Sequence, residues 1–188
     1  DSSISSPLGR GSDSLPVHVN LFGVDTYLAD SMQFMLEYGC RLHRSGCYYL
    51  MPSFRGENID ESHLCQFYHS EAEILGSLEE IMSLTEEYVR VLTRQILIEY
   101  GLAIHELVGN VSHLETFLAS QASFPRLTLD EAEKLLGTSD NYIRIKEGQY
   151  RVLTRLGEQA LIKHCGGFVW LTEPDLSLIH ISEPTRQA

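Results

Sequence analysis

Apolar and polar positions change period along this chain, and each change predicts a new element. After a Ser-, Gly- and Pro-rich loop over residues 1–16, "HVNLFGVDTYLA" (18–29) reads as strand-like segments with a turn at Gly23. "DSMQFMLEYGCRLH" (30–43) has helical spacing that sets Met32, Met35, Leu36 and Cys40 on one face. Two strand stretches follow, "CYYLMPSF" (47–54) and "CQFYHSEAEI" (65–74), joined by the polar "GENIDES" (56–62). That pairing predicts an antiparallel hairpin with a functional loop. A capping box, Ser77 with Glu80, opens a long helix over 78–100 with Leu78, Ile81, Met82, Leu92 and Ile96 as core positions. Its paired acids, Glu79–Glu80 and Glu86–Glu87, read as a solvated face. "NVSHLETFLASQ" (110–121) is a shorter helix, and "PRLTLDEAEKLLG" (125–137) carries a second capping box, Thr128 with Glu131, stopped by Gly137. A helix around "GEQALIKH" (157–164) precedes the apolar strand "GFVWLT" (167–172). Strands, helices and a final strand without regular βαβ alternation predict an α+β fold, an antiparallel sheet flanked by helices.

Composition narrows the class. The 188 residues are 43% hydrophobic and 21% charged, an ordinary globular balance with enough apolar material for one core. No run approaches the ~20 apolar residues of a membrane span, and no secretory signal pattern opens the chain. Neither a membrane nor DNA is therefore an expected partner. The net charge of −12 leaves no basic stripe for gripping nucleic acid, so any RNA contact is expected to be local or outside this segment. The four cysteines, Cys40, Cys47, Cys65 and Cys165, include no CxxC pair, and free thiols in a reducing cytoplasm are expected. Combined with His63 and His69 they match no structural zinc spacing. Cys65 reads as a buried thiol rather than a nucleophile, His105 and His113 as surface or capping residues, and Glu158 as part of helix packing. The chain does not begin with Met and reads as a piece of a longer protein. "LSLIHISEPTR" (176–186) looks like a translated sequencing adapter, so residues 1–175 are taken as one partial domain and 176–188 as a tail foreign to it.

The candidate chemistry sits on the hairpin. Residues two apart in a strand share a face, which groups Ser53, Arg55 and Glu57 on the first strand. On the second it groups His63, Cys65, Phe67, His69, Glu71 and Glu73. If the hairpin closes around Asn58–Ser62, both sets line one cleft. A planar guanidinium suits phosphate oxygens, Phe67 suits a flat base, Glu57 accepts from an amino group, and His63 meets a terminal phosphate. Residue chemistry alone leaves two readings open: a nucleoside triphosphate site, or a solvated hairpin with an Arg55–Glu57 ion pair.

The series "FRGEN…HLCQFYHSEAE" resembles motif 2 of the class II aminoacyl-tRNA synthetases, F-R-x-E, a loop, then H/R-x-x-x-F. Within that class it is most similar to the aspartyl/asparaginyl/lysyl branch. "FGVDTYLADSMQF", "FPRLTLDEAEKLL" and "LGEQALIKHCGGFVWLTEPD" resemble further blocks of that branch, in family order across nearly all of residues 10–175. The resemblance implies the class II catalytic-domain fold, ATP and Mg2+ as requirements, and a homodimer. It further implies that Arg55 binds the α-phosphate, Glu57 the adenine amino group and His63 the γ-phosphate, while Phe67 stacks on adenine. Gln33 would hold the amino acid, with Glu71 and Glu73 orienting its amino group and Asp30 beside them. The family's Q-S-P-Q reads Asp30-Ser31-Met32-Gln33 here, and in place of its T-E-G-G-A loop the nearest acid is Asp13. Motif 1 and an anticodon-binding barrel would precede residue 1. Motif 3, with the magnesium carboxylates, would follow residue 175, so this stretch alone is expected to be inactive.

Three functions fit that resemblance. The first is an ATP-dependent ligase charging tRNA with asparagine or aspartate. The second is a tRNA-independent paralog making asparagine from aspartate, ATP and ammonia. The third is an inactive scaffold or regulatory module, against which the joint presence of Arg55, Glu57, His63 and Phe67 argues.

Overall fold

The computed structural model describes residues 15–59, 64–146 and 150–175. They form two compact units that divide between Leu75 and Gly76. His63, Asp13 and the adapter-like tail lie outside the described residues.

The first unit runs β1 (His18–Leu21), β2 (Val24–Tyr27), α1 (Gln33–Leu42), β3 (Cys47–Phe54) and β4 (Gln66–Glu73). β1 and β2 pair antiparallel through a two-residue turn in which Phe22 and Gly23 both take positive φ, +53° and +85°. Such turns match the twist of the flanking strands, and glycine adopts them without strain. The Asn20 side chain braces this turn, accepting from the Gly23 N–H and donating to Asp25.

β3 and β4 form the expected hairpin, in register from Cys47↔Glu73 to Phe54↔Gln66. The Arg55 N–H, bonded to the Cys65 carbonyl at 2.9 Å, carries the ladder one step further. One face is turned inward: Tyr49, Met51 and Ser53 with Phe67, His69 and Glu71. Tyr48, Leu50 and Tyr68 on the other face are exposed. α1 buries Met32, Leu36 and Cys40, but Met35 is 58% exposed, contrary to the expected stripe. The reason is angular. Met32 and Cys40 each lie ~40° from Leu36 around the helix, whereas Met35 lies ~100° away.

The second unit runs α2 (Leu78–Val108), α3 (Ser112–Ala119), β5 (Arg126–Thr128), α4 (Leu129–Leu136), β6 (Ile143–Lys146), β7 (Tyr150–Leu153), α5 (Arg155–Cys165) and β8 (Trp170–Thr172). Both capping boxes are present, with Ser77 and Thr128 each exchanging bonds with a glutamate three residues on. α2 passes its expected end at Tyr100 and stops at Gly109, whose φ of 76° closes the helix in the left-handed region. β5 pairs with β8 in parallel and β6 with β7 antiparallel. The antiparallel pairs of the described residues agree with the expected α+β class; the parallel pair was not anticipated. Among the described residues no helix is long and apolar enough to cross a membrane.

Two expectations on α2 need correction. Leu78, Leu92 and Ile96 are exposed, and Glu86 is buried rather than solvated. The buried stripe is Met82, Glu86 and Arg90, one turn apart, because aromatic residues from later elements cover that line. Glu86 Oε1 accepts from Trp170 Nε1 at 2.9 Å and from the Phe124 N–H at 3.1 Å. Arg90 donates to the carbonyls of Phe117, Ser120 and Ala122 and lies over the Phe117 and Phe124 rings. A carboxylate and a guanidinium tolerate burial only when bonded in this way.

Candidate functional site

The site is built on the inward face of the first unit, where three segments converge on the end of β3. The Phe54 N–H donates to the Ala29 carbonyl at 2.8 Å and the Gly56 N–H to the Leu15 carbonyl at 2.7 Å. The first bond brings Asp30 and Ser31 alongside the hairpin. The second places Leu15 so that its N–H donates to Glu57 Oε1 at 2.9 Å. Gly56 permits this approach: a Cβ there would lie 3.1 Å from the Leu15 carbonyl oxygen.

At one end of the face, the Arg55 guanidinium lies over the Phe67 ring, 5.4 Å from its centroid. Arg55 Nε is buried and finds no hydrogen-bond partner among the described residues. A buried donor in that condition is costly unless a ligand completes it. At the other end Glu71 accepts from the Ser31 hydroxyl at 3.2 Å. Burial pushes the Glu71 carboxyl up; the Ser31 bond opposes this and the Asp30 charge adds to it. Asp30 itself is only 2% exposed. Ser31 also accepts from the Gln33 N–H, and Tyr49 Oη accepts from the Met32 N–H, so the start of α1 is fastened to both strands of the hairpin.

His69 stands between the two ends. Its Nδ1 is 2.8 Å from Ser53 Oγ and 3.8 Å from Glu71 Oε1, and its ring meets Phe67 edge-on at 4.7 Å. Burial, then the Arg55 charge, hold the imidazole below its ordinary value, with Asp30 opposing. The face thus grades from a cation on an aromatic ring, through an imidazole biased to be neutral, to two carboxylates. It can take an anion and a flat ring at one end and an ammonium group at the other.

Of the residues expected from the sequence, Arg55, Phe67, Glu71 and Asp30 are placed on this one patch. Gln33 is the exposed first residue of α1. Glu57 lies beyond Arg55 with one oxygen engaged by Leu15, and Glu73 lies at the far end of the ladder opposite Cys47. Sequence reasoning set Ser53 and His69 on the cleft-lining faces without giving them a role, and singled out neither Ser31 nor Tyr49. A serine two residues before the first helical position is a recognisable helix-start signal, and it could have pointed to Ser31.

The family model described as tRNA synthetases class II (D, K and N) matches residues 4–175. Among solved structures, the asparaginyl-tRNA synthetase from Pyrococcus horikoshii complexed with asparaginyl-adenylate aligns with a TM-score of 0.72 at 23% identity. That alignment covers 90% of this chain and 38% of the other. The Entamoeba histolytica asparaginyl-tRNA synthetase aligns with a TM-score of 0.68 and 18% identity in complex with asparaginyl-adenylate, covering 91% of this chain and 37% of the other. Another structure of that synthetase gives 0.69 and 19%, with the same coverage. The chain therefore spans less than two fifths of the length of these structures and shares their fold over that part.

Proposed function

Because this chain belongs to the class II tRNA synthetases of the D, K and N group, we propose that it is part of an ATP-dependent ligase that activates asparagine or aspartate as the adenylate and transfers it to tRNA. The observation that carries this reading is the Arg55 guanidinium, lying over Phe67 with Nε unpartnered among the described residues, on the same face as the Glu71 and Asp30 carboxylates.

In this reading Phe67 stacks on adenine and Arg55 holds the α-phosphate. The amino-acid carboxylate oxygen attacks the α-phosphorus, pyrophosphate leaves, and Arg55 stabilises the charge that builds on phosphorus. No protein nucleophile is needed. Glu57 meets the adenine amino group with its other oxygen and His63 the γ-phosphate. Glu71 takes the substrate ammonium beside Asp30, whereas Gln33, exposed at the start of α1, and Glu73, opposite Cys47 at the far end of the ladder, lie off this patch. The spatial order fits the reaction, since the reacting bond falls between the phosphate-holding cation and the ammonium-holding carboxylate. Mg2+, which the family resemblance implies, would neutralise phosphate charge. A homodimer acting in the cytoplasm belongs to the same proposal.

A second reading, asparagine formation from aspartate, ATP and ammonia, is favoured by one feature: the buried Asp30 stands where the family has glutamine. ATP–pyrophosphate exchange by the full-length protein separates the two. Exchange with asparagine alone supports the asparagine-specific tRNA ligase. Exchange with aspartate leaves the aspartate-specific ligase or the ammonia-using enzyme, which added ammonia then distinguishes. Silence with both amino acids would sink the proposal.

A further inference from the structure

The first unit holds a second set of reactive groups that the site does not use. Cys40, near the end of α1, and Cys47, the first residue of β3, bring their sulfurs to 3.8 Å. The Cys40 thiol also lies 3.3 Å from the Glu73 carbonyl, to which it donates, and the Cys47 thiol donates to the Leu36 carbonyl at 3.1 Å. Both thiols thus sit in the seam between α1 and the β3–β4 hairpin. Gly39 keeps the seam open: a Cβ there would lie 2.7 Å from the Cys47 sulfur. Cys40 is buried and Cys47 half-buried, so Cys47 is the sulfur a small reagent reaches first.

We propose that Cys40 and Cys47 are a redox modification site, forming a reversible disulfide that locks α1 onto the hairpin, with a low-molecular-weight disulfide such as oxidised glutathione as the oxidant. Cys47 loses its proton to solvent, and its thiolate attacks one glutathione sulfur, breaking that S–S bond and releasing one glutathione thiolate. The Cys40 thiolate, its proton also passed to solvent, then attacks the Cys47 sulfur, forms the Cys40–Cys47 bond and releases the second glutathione. Two protein thiols are oxidised by two electrons, and one glutathione disulfide is reduced to two thiols. The sulfurs must approach by a further ~1.8 Å to reach bonding distance. Burial, then the hydrogen bond and charge of Cys40 and the charge of Glu73, push the Cys47 thiol up. Cys47 consequently stays a thiol and exchanges slowly near neutral pH. The bond would tie the helix that begins at Gln33 to the strand that ends beside Arg55. It would also restrict the unfolded chain, which raises stability in the oxidised form.

The test uses the full chain, incubated with oxidised glutathione at about pH 8.5 to supply thiolate, blocked with N-ethylmaleimide and digested with trypsin without reductant. Arg41 and Arg44 separate Cys40 from Cys47, and Arg55 separates Cys47 from Cys65, so each of these thiols falls in its own peptide. The expected product is a Cys40–Cys47 linked peptide pair, two hydrogens lighter than the sum of its parts, which dithiothreitol resolves. Recovery of both cysteines as maleimide adducts, or as separate glutathione adducts, would overturn the proposal. So would preferential linkage of Cys47 to Cys65. The linked form should melt above the reduced form, and Cys47→Ser should remove any oxidant-dependent shift. An unchanged melting temperature in linked protein would refute the lock.

Discussion

Arg90 in the second unit and Arg55 in the first both lie over phenylalanine rings, 4.9 Å from the Phe117 centroid and 5.4 Å from that of Phe67, yet their donors are spent differently. Arg90 gives its terminal nitrogens to three backbone carbonyls, at 3.3, 2.6 and 2.6 Å. Arg55 keeps a buried Nε with no hydrogen-bond partner among the described residues. The same side chain on the same kind of ring is a structural clamp where the protein supplies the acceptors. At Arg55 the described residues offer Nε no acceptor, which agrees with the phosphate-holding role proposed for it. Ring stacking alone therefore says nothing of function, whereas the state of the guanidinium donors does.

The sharpest way to break this comparison is Arg55→Lys in the full-length protein. Lysine keeps the charge but loses the planar fork. We expect adenylate formation to fall about 10³-fold, with the melting temperature unmoved, read by pyrophosphate exchange and calorimetry. A clear loss of stability with retained exchange would make Arg55 a second clamp.

Arg90→Ala should do the reverse. Removing it strands three carbonyls and uncovers Phe117 and Phe124, and a loss of roughly 3 kcal/mol is expected from urea unfolding. Arg90→Lys should recover little of it, because one ammonium cannot span carbonyls of Phe117, Ser120 and Ala122. Full rescue by lysine would show that charge, not geometry, holds this region. A smaller effect is expected at the start of the same helix: Ser77→Ala deletes one half of the capping box and should cost about 1 kcal/mol. A loss indistinguishable from zero would mean that packing alone fixes where α2 begins.

The contrast between the arginines also marks what the sequence could reveal. The β3–β4 hairpin was legible because two eight-residue strands repeat their period enough to expose a buried face. The capping boxes were legible because each is written within four residues. β6 and β7, four residues each, and β5, three, are too short to establish a period, and the β6–β7 hairpin was missed altogether, whereas β8 lies within the apolar run "GFVWLT" that marks a strand. Burial of Glu86 and Arg90 depends on partners between 27 and 84 residues away, and no local pattern records that. The same holds in the site. Arg55 and Phe67 were found through their resemblance to a known motif, while Ser31 meets Glu71 across 40 residues and Ser53 meets His69 across 16.

A third arginine sharpens the comparison by removing burial. Among the described residues the Arg151 side chain on β7 is bonded only by carboxylates: Asp130, Glu133 and, through Nε and Nη2 at 2.8 and 2.6 Å, Asp175. The backbone N–H of Arg151 donates to Asp175 as well, at 2.9 Å. Side-chain bonding to Arg151, then this backbone bond, hold the Asp175 carboxyl at about 2, below its ordinary 3.8. A carboxyl held low in the folded state contributes stability above its unfolded value and loses it as pH falls through the folded one. Asp175→Asn should therefore unfold at lower urea than the parent chain at neutral pH. The gap should narrow as pH drops from about 4 toward 2, and it should shrink with added salt, because both partners are partly exposed. A gap independent of pH and salt would mean that Asp175 acts through its backbone bond to the start of β7 rather than through charge. Arg151 would then belong with Arg90, as a clamp set by hydrogen-bond geometry.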